Sequence, residues 1–419
     1  MNAVELLVYN AVKRNAVLKR LIRDIYQRIT VVVTCSWMRR FSSQYQIDAR
    51  EKCFFGYYDK SPWSHDDRYF LAHHFDIPLR MPLKSDTVEI RCYQGNEYSV
   101  LGKTYAWNWQ QGAMLQWVGQ SHCVLFNDYS GMQHIARIVG RNGNEVKILH
   151  KPIAALSADG TYAASYSFER LRYCAPGYAY MNGNDPHIND PAPSGDGLWF
   201  VDVESGAFKL AVSLSEISAF APEASMSGSY HYINHAAFSP SGSKVVFFHR
   251  WQLPNREWTR MFTYDRRDGK LYLFDTSGMV SHFTWRDEDH ILAWARLPER
   301  KNDAYVLFTD GSKERIIIGE DLFTSDGHPS FSPDKRYILM DTYPDRARVS
   351  NLILYDSNVN DREDIAKLYN PFCYNNDLRC DLHPRWNRTG TAVAFDAVYS
   401  GTRSLCTIQL DSKRYVSKN

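Results

Sequence analysis

The sequence predicts an all-β fold, a seven-bladed β-propeller preceded by an N-terminal amphipathic α-helix, and three observations carry that prediction. A strand-pair block recurs seven times along the chain. The aromatic load is high, with 27 Tyr, 21 Phe and 11 Trp, residues that suit strands better than helices. A histidine returns at one position of the repeat in four successive blocks.

The helix comes first. From Val4 to Ile29 apolar residues return at helical spacing (Val4, Leu7, Val8, Ala11, Leu18, Ile22, Ile25, Ile29), with Lys13, Arg14, Lys19, Arg20, Arg23 and Arg28 between them. Against Glu5 and Asp24 these give the first thirty residues a charge of +4, whereas the whole chain carries +2. Such a helix either lies on an anionic membrane surface through residues 1–30 or packs across the outer wall of the domain. No stretch reaches the roughly 18 apolar residues of a spanning helix. The small net charge argues against nucleic acid as a partner. No export-type leader opens the sequence and the eight cysteines form no C-x-x-C pair, so a cytoplasmic protein with reduced thiols is expected.

The repeat occupies residues 51–412, with residues 1–50 as helix and linker and residues 413–419 as a tail. Blocks such as HAAFSPSGSKVVFF (235–248), HPSFSPDKRYILM (328–340) and HPRWNRTGTAVAF (383–395) each read as a strand, a polar turn and an alternating apolar strand. Their anchors, Trp63, Trp117, Leu156, Phe238, Trp285, Phe331 and Trp386, are 54, 39, 82, 47, 46 and 55 residues apart, the period of a propeller blade. The 82-residue gap contains 169–197, rich in Gly, Pro, Asn and Asp, which reads as one long loop rather than an eighth blade.

Three residues before each anchor stand Lys60, Met114, Ile153, His235, His282, His328 and His383. The four histidines should ring one mouth of the central channel, where converging imidazoles make a site for a divalent metal (Mn, Zn or Ca); the alternative is a hydrogen-bonded ring that holds the channel shut. Asp326 and Asp381 precede two of them by two residues, on the same side of an extended strand, as supporting partners or extra ligands. The second strand of each blade returns to the same face. Its ends add His73, His74, Asn127, Asp128, Arg170, Arg172, His249, Arg250, Arg296, Asp341, Tyr343 and Asp396, with Tyr173, Tyr178 and Tyr180 from the long loop. This is a basic and aromatic bowl suited to an acidic oligo- or polysaccharide.

At DGHPSFSPDKRYILMDTYPD (326–345), RCDLHPRW (379–386), HRW (249–251) and WNWQQG (107–112) the chain resembles the propeller-fold polysaccharide lyases of the oligogalacturonate and ulvan lyase groups. The resemblance implies β-elimination of a uronate-containing glycan, assisted by a divalent metal held by His235, His328 and His383 with Gln110 or Gln111, and no organic cofactor. The chemistry needs three roles. Arg172, Arg250 or the metal would neutralise the substrate carboxylate, His74 or His249 would take the proton, and Tyr178 would protonate the leaving oxygen. His73, Asn127, Asp128, Tyr180, Asp341 and Tyr343 would bind the sugar. Two other readings compete: a non-catalytic glycan- or protein-binding propeller at a membrane-associated polysaccharide assembly, and a glycosidase or transferase using Asp341 and Asp396 as paired acids. A basic helix without a leader fits surface-polysaccharide metabolism better than digestion of an imported polymer. Cys373 and Cys380, close to His383, are read as buried thiols rather than ligands.

Overall fold

The repeat becomes seven antiparallel sheets arranged as the blades of a propeller in the computed structural model, which describes residues 16–34, 41–254 and 256–411. The first turns of the expected helix, Cys35 and the expected tail lie outside the described residues. Blades 1 to 6 follow one another at residues 53–104, 116–149, 155–213, 230–273, 280–318 and 330–369, and their inner strands are buried along most of their length, as in Tyr337–Asp341, because both faces are covered by neighbouring blades. Blade 7 takes three strands from residues 385–409 and its fourth from Asp48–Glu51, which pairs antiparallel with Ser404–Gln409. Phe41–Ser43 adds a fifth strand to blade 6. Residues expected to be linker therefore close the ring.

The anchors explain why the period survives such divergent sequence. Three of the four anchoring indoles donate to a backbone carbonyl of the preceding blade: Trp117 to Pro62 at 2.9 Å, Trp285 to Ala237 at 3.3 Å and Trp386 to Ser330 at 3.1 Å. The following turns are fastened by a serine that donates to an aspartate two residues on, as in Ser157–Asp159 and Ser332–Asp334. Stacked apolar faces between blades supply the core.

No strand lies between Ser165 and Gly197, the long loop of blade 3. It holds helix α2, Phe168–Cys174, capped by Ser167, and a single 3₁₀ turn, Pro176–Tyr178. Arg170 is 1% exposed and holds this loop from inside: it donates to Asp185, to the carbonyls of Asp190 and Pro191, and to His231 of blade 4. The loop is thus an ordered part of the face it borders.

Helix α1, Ala16–Thr34, continues past the expected end because the run Ile29–Val33 prolongs its apolar pattern. It meets the propeller with its polar side: Arg28 sits 4.9 Å from the Phe372 ring, and Arg346 donates to the Tyr26 hydroxyl at 3.4 Å. Leu21, Ile25, Ile29 and Val32 are 49–70% exposed on its other side. Among the described residues no helix is long and apolar enough to cross a membrane.

Candidate functional site

The histidine register has a backbone cause. His235, His282 and His383 have φ of 52°, 39° and 46°, and Met114, at the same position of blade 2, has 55°. The pairing register slips across His235 and across His282, so each is the extra residue of a bulge within an innermost strand, Tyr230–Phe238 and Val280–Trp285. A left-handed non-glycine residue costs about 1–2 kcal/mol and persists where the fold gains from aiming its side chain. Here the bulges deliver imidazoles to the mouth of the channel.

Tyr57 and Tyr58 occupy the centre of that ring. Tyr57 stacks on His235 at 4.8 Å and meets His383 at 4.9 Å, while Tyr58 lies 5.3 Å from His328 and donates to the Phe283 carbonyl at 2.8 Å. Both are buried. Their segment is pinned by Asp396, which accepts from the Phe55 and Gly56 amides and pairs with Arg385 at 3.1 Å. Gly56, at φ 115°, crosses so close to Gln111 that a Cβ would stand 2.6 Å from its backbone carbon.

His328, Asp381 and His383 offer one donor atom each within 4.8 Å of one another, all buried. Nε2 of both histidines and Oδ1 of Asp381 have no hydrogen-bond partner, and neither has Oε1 of the neighbouring amide Gln111. Asp341 accepts from His328 Nδ1 at 2.8 Å and from the His328 and His383 amides at 2.7 and 3.1 Å. That contact fixes the tautomer of His328 and leaves Nε2 as the free lone pair. Arg379 donates to Asp381 Oδ2 at 2.6 Å, so the other carboxylate oxygen remains. Burial, then the neighbouring His328, holds His383 well below the usual histidine range, while burial of His328 is more than offset by the carboxylates of Asp341, Asp381 and Asp326, which together raise it. Unsatisfied buried donors are rare in folded proteins, and two nitrogens with one carboxylate oxygen suit a borderline divalent metal.

The expected four-histidine site is therefore rearranged. His328 and His383 converge with Asp381. His282 lies 4.2 Å from His328, ring to ring, but its Nδ1 is held by Asp326 at 2.9 Å, so Asp326 serves the preceding blade's histidine. His235 stands across Tyr57, with Gln111 at 3.3 Å. Cys373 is exposed and Cys380 buried, with burial pushing the Cys380 thiol up to about 12.

The bowl divides in the same way. Tyr178 lies edge-on to His235 at 5.2 Å and its hydroxyl meets Arg379 at 3.1 Å. Tyr343 lies 5.6 Å from His328, and Arg250 pairs with Glu257 at 2.8 Å beside Phe248. The other residues go elsewhere. His249 is fully buried, bonded to His231 at 2.9 Å and to Arg260 at 3.0 Å, so neither nitrogen can accept a proton from substrate. His73 is buried against Phe54 and accepts from the Ala113 amide; burial lowers it to about 3. His74 faces Glu89 at 3.7 Å in blade 1. Arg172 binds the Gly183 carbonyl. Asn127 ties Ile153 to the Tyr180 hydroxyl, and Asp128 pairs with Arg137. Arg296 pairs with Asp303, and Tyr173 is exposed. Asp341 and Asp396 are both consumed in capping amides, which removes the basis of the paired-acid reading.

Sequence reasoning missed Tyr57, Tyr58 and Arg379. The FGYYDK run beside the Lys60 register position was the available signal for the tyrosines.

The fold and its ringed mouth define a seven-bladed propeller with a polar, histidine-lined face. No known family model matches the sequence, and no curated protein matches it. Among solved structures it is similar to an oligogalacturonate lyase from Vibrio parahaemolyticus, at 10% identity and a TM-score of 0.62 over 89% of this chain and 97% of that one. It is equally similar to an oligogalacturonate lyase in complex with manganese, at 12% identity and a TM-score of 0.62 over 90% and 99%. TolB from Acinetobacter baumannii follows at 10% identity, a TM-score of 0.41, and 88% and 97% coverage. At these identities the likeness shows the fold alone.

Proposed function

We propose that this face is the active site of a polysaccharide lyase-like enzyme that cleaves a uronate-containing glycan by β-elimination, in surface-polysaccharide metabolism. The observation that carries the reading is the convergence of His328, His383 and Asp381, one ligand atom of each within 4.8 Å of the others, all three buried and each with a polar atom that lacks a hydrogen bond. His328, His383 and Asp381, with Gln111 beside them, would hold a divalent metal; when bound it supplies a Lewis acid for the substrate carboxylate.

The protein groups supply the remaining roles. Arg250 and Arg379 offset the carboxylate charge, which makes the neighbouring C–H proton acidic enough to leave. His235 replaces His249 and His74 as base: burial and the charge of Arg250 keep it well below the usual histidine range and therefore neutral. The electron pair left on carbon forms the C=C bond as the C–O bond to the next sugar breaks. Tyr178, polarised by Arg379, protonates the departing oxygen. The test is incubation with uronate-containing glycans while following the ultraviolet absorbance of the unsaturated product. A rise that disappears with chelator, and falls at least 100-fold in folded His383→Ala protein, is expected. Silence across the panel with glycan binding intact would leave a binding module instead.

Helix α1 extends this reading. Its exposed Leu21, Ile25, Ile29 and Val32, flanked by basic residues, would rest on an anionic bilayer and bring the enzyme to membrane-associated glycan. Leu21→Glu with Ile25→Glu should abolish sedimentation with phosphatidylglycerol vesicles; unchanged sedimentation would refute the contact.

A further inference from the structure

Where blades 2 and 3 meet, the same face holds a second cavity of about 190 Å³ beneath the long loop. It shares no residue with the His328–Asp381–His383 group. Its walls come from the start of the third strand of blade 2 (Gln133, His134), the link to blade 3 (His150, Lys151), the end of the second strand of blade 3 (Ser165) and the loop itself (His187, Asp196).

The chemistry of these walls is unfinished. His134 Nδ1 is bound to Glu169 at 2.6 Å, which orients the ring and leaves Nε2 buried with no partner. Ser165 Oγ is also buried and unpartnered. Their residues are 3% and 1% exposed. Glu169 stays below the usual carboxylate range because the His134 contact outweighs its burial. The loop is pressed onto this pair: a Cβ on Gly183, at φ 78°, would stand 2.9 Å from Glu169 Cγ and 3.0 Å from His134 Cε1. Asp196 already accepts from the Gly197 amide and the Trp199 indole. Lys151 holds its ammonium 3.8 Å from the Trp199 ring. Burial lowers its pKa despite the opposing charges of Asp196 and Glu169 on the same walls, so these two carboxylates compensate the buried cation only in part and a further anion would favour it.

A cavity of this volume falls below the ~300–1,000 Å³ of drug-sized pockets and is of the order of one sugar ring. A hydroxyl-rich ring meets a mixed lining because each hydroxyl both donates and accepts, as Ser165 and His134 require. A carboxylate on that ring answers Lys151. We propose that this cavity is a binding subsite for one uronic-acid residue, separate from the site of bond cleavage. The choice of a uronate rests on the glycan reading above; the existence of an unfilled polar pocket does not.

The experiment is titration calorimetry of the full chain with D-glucuronate and D-galacturonate, beside glucose and galactose. One uronate should bind with 1:1 stoichiometry. Its affinity should fall at least tenfold in Lys151→Met, which removes the ammonium beside Trp199, and at least tenfold in Ser165→Ala, while Arg296→Ala, in blade 5, binds as wild type. The neutral sugars should bind at least tenfold more weakly. Absent binding, or binding unaffected by Lys151→Met and Ser165→Ala, overturns the subsite and shows a crevice filled only by water. Equal loss in Arg296→Ala also overturns it. Equal affinity for neutral sugars overturns the carboxylate recognition. If glycan cleavage fails while Lys151-dependent uronate binding persists, the subsite stands and the lyase reading falls.

Discussion

Two groups of histidines on this propeller differ in what claims their nitrogens. His231 and His249 stack 5.1 Å apart, share a hydrogen bond, and His249 also receives the Arg260 guanidinium, whose other nitrogens reach the Ile217 and Ala221 carbonyls. His328 and His383 are as deeply buried, yet each keeps Nε2 unpartnered beside Asp381. Burial is common to both groups; the free nitrogen separates them. An imidazole whose two nitrogens are taken is a cross-link, and one with a lone pair held toward other donors is a ligand in waiting.

The largest expected effect that would break this comparison is on metal affinity. His328→Ala and His383→Ala should weaken Mn²⁺ or Zn²⁺ binding by about 100-fold in calorimetry, and His249→Ala should leave it within twofold. The same variants should rank in the opposite order for stability: His249→Ala strands Arg260 and His231 in the interior and should cost about 3 kcal/mol in urea unfolding. His383→Ala keeps the left-handed backbone but removes an unsatisfied nitrogen, and should cost no more than about 1 kcal/mol. Equal metal loss in all three, or a reversed order of stability, would erase the distinction.

A smaller effect sharpens it through pH. Burial lowers His231 to about 4 and His73 to about 3, against roughly 6.5 in the unfolded chain. Both imidazoles are thus neutral in the fold, and the unfolded state binds more protons as pH falls. Stability should be full above about pH 6.5 and decline progressively toward pH 4. Thermal unfolding in a pH series checks this, and a Tm that stays flat between pH 6.5 and 4 would mean these histidines are charged in the native state.

How much of this was legible before the structure depended on whether the information was periodic. The seven blades, the long loop of blade 3 and the register of His235, His282, His328 and His383 all follow from repetition, because each blade must solve the same packing problem. The site follows from the exceptions. Asp341 supports His328 from the neighbouring strand and Asp326 turns to His282, a distinction that two-residue spacing does not encode. Tyr57 and Tyr58 fill the ring because the chain entering blade 1 departs from the repeat there. His249 was placed on the bowl by strand direction, which fixes the end of a strand but not the side to which its residues turn.

The closing strand has a consequence for how the molecule comes into being. Asp48–Glu51 is made early, but its partner Ser404–Gln409 is among the last described segments of the chain. At about 5–20 residues per second, roughly 20–70 s of synthesis separate the two. Throughout that interval blade 7 lacks its other strands and blade 1 has an uncovered flank, so the growing chain is an open arc that becomes a ring only when Ser404–Gln409 meets Asp48–Glu51.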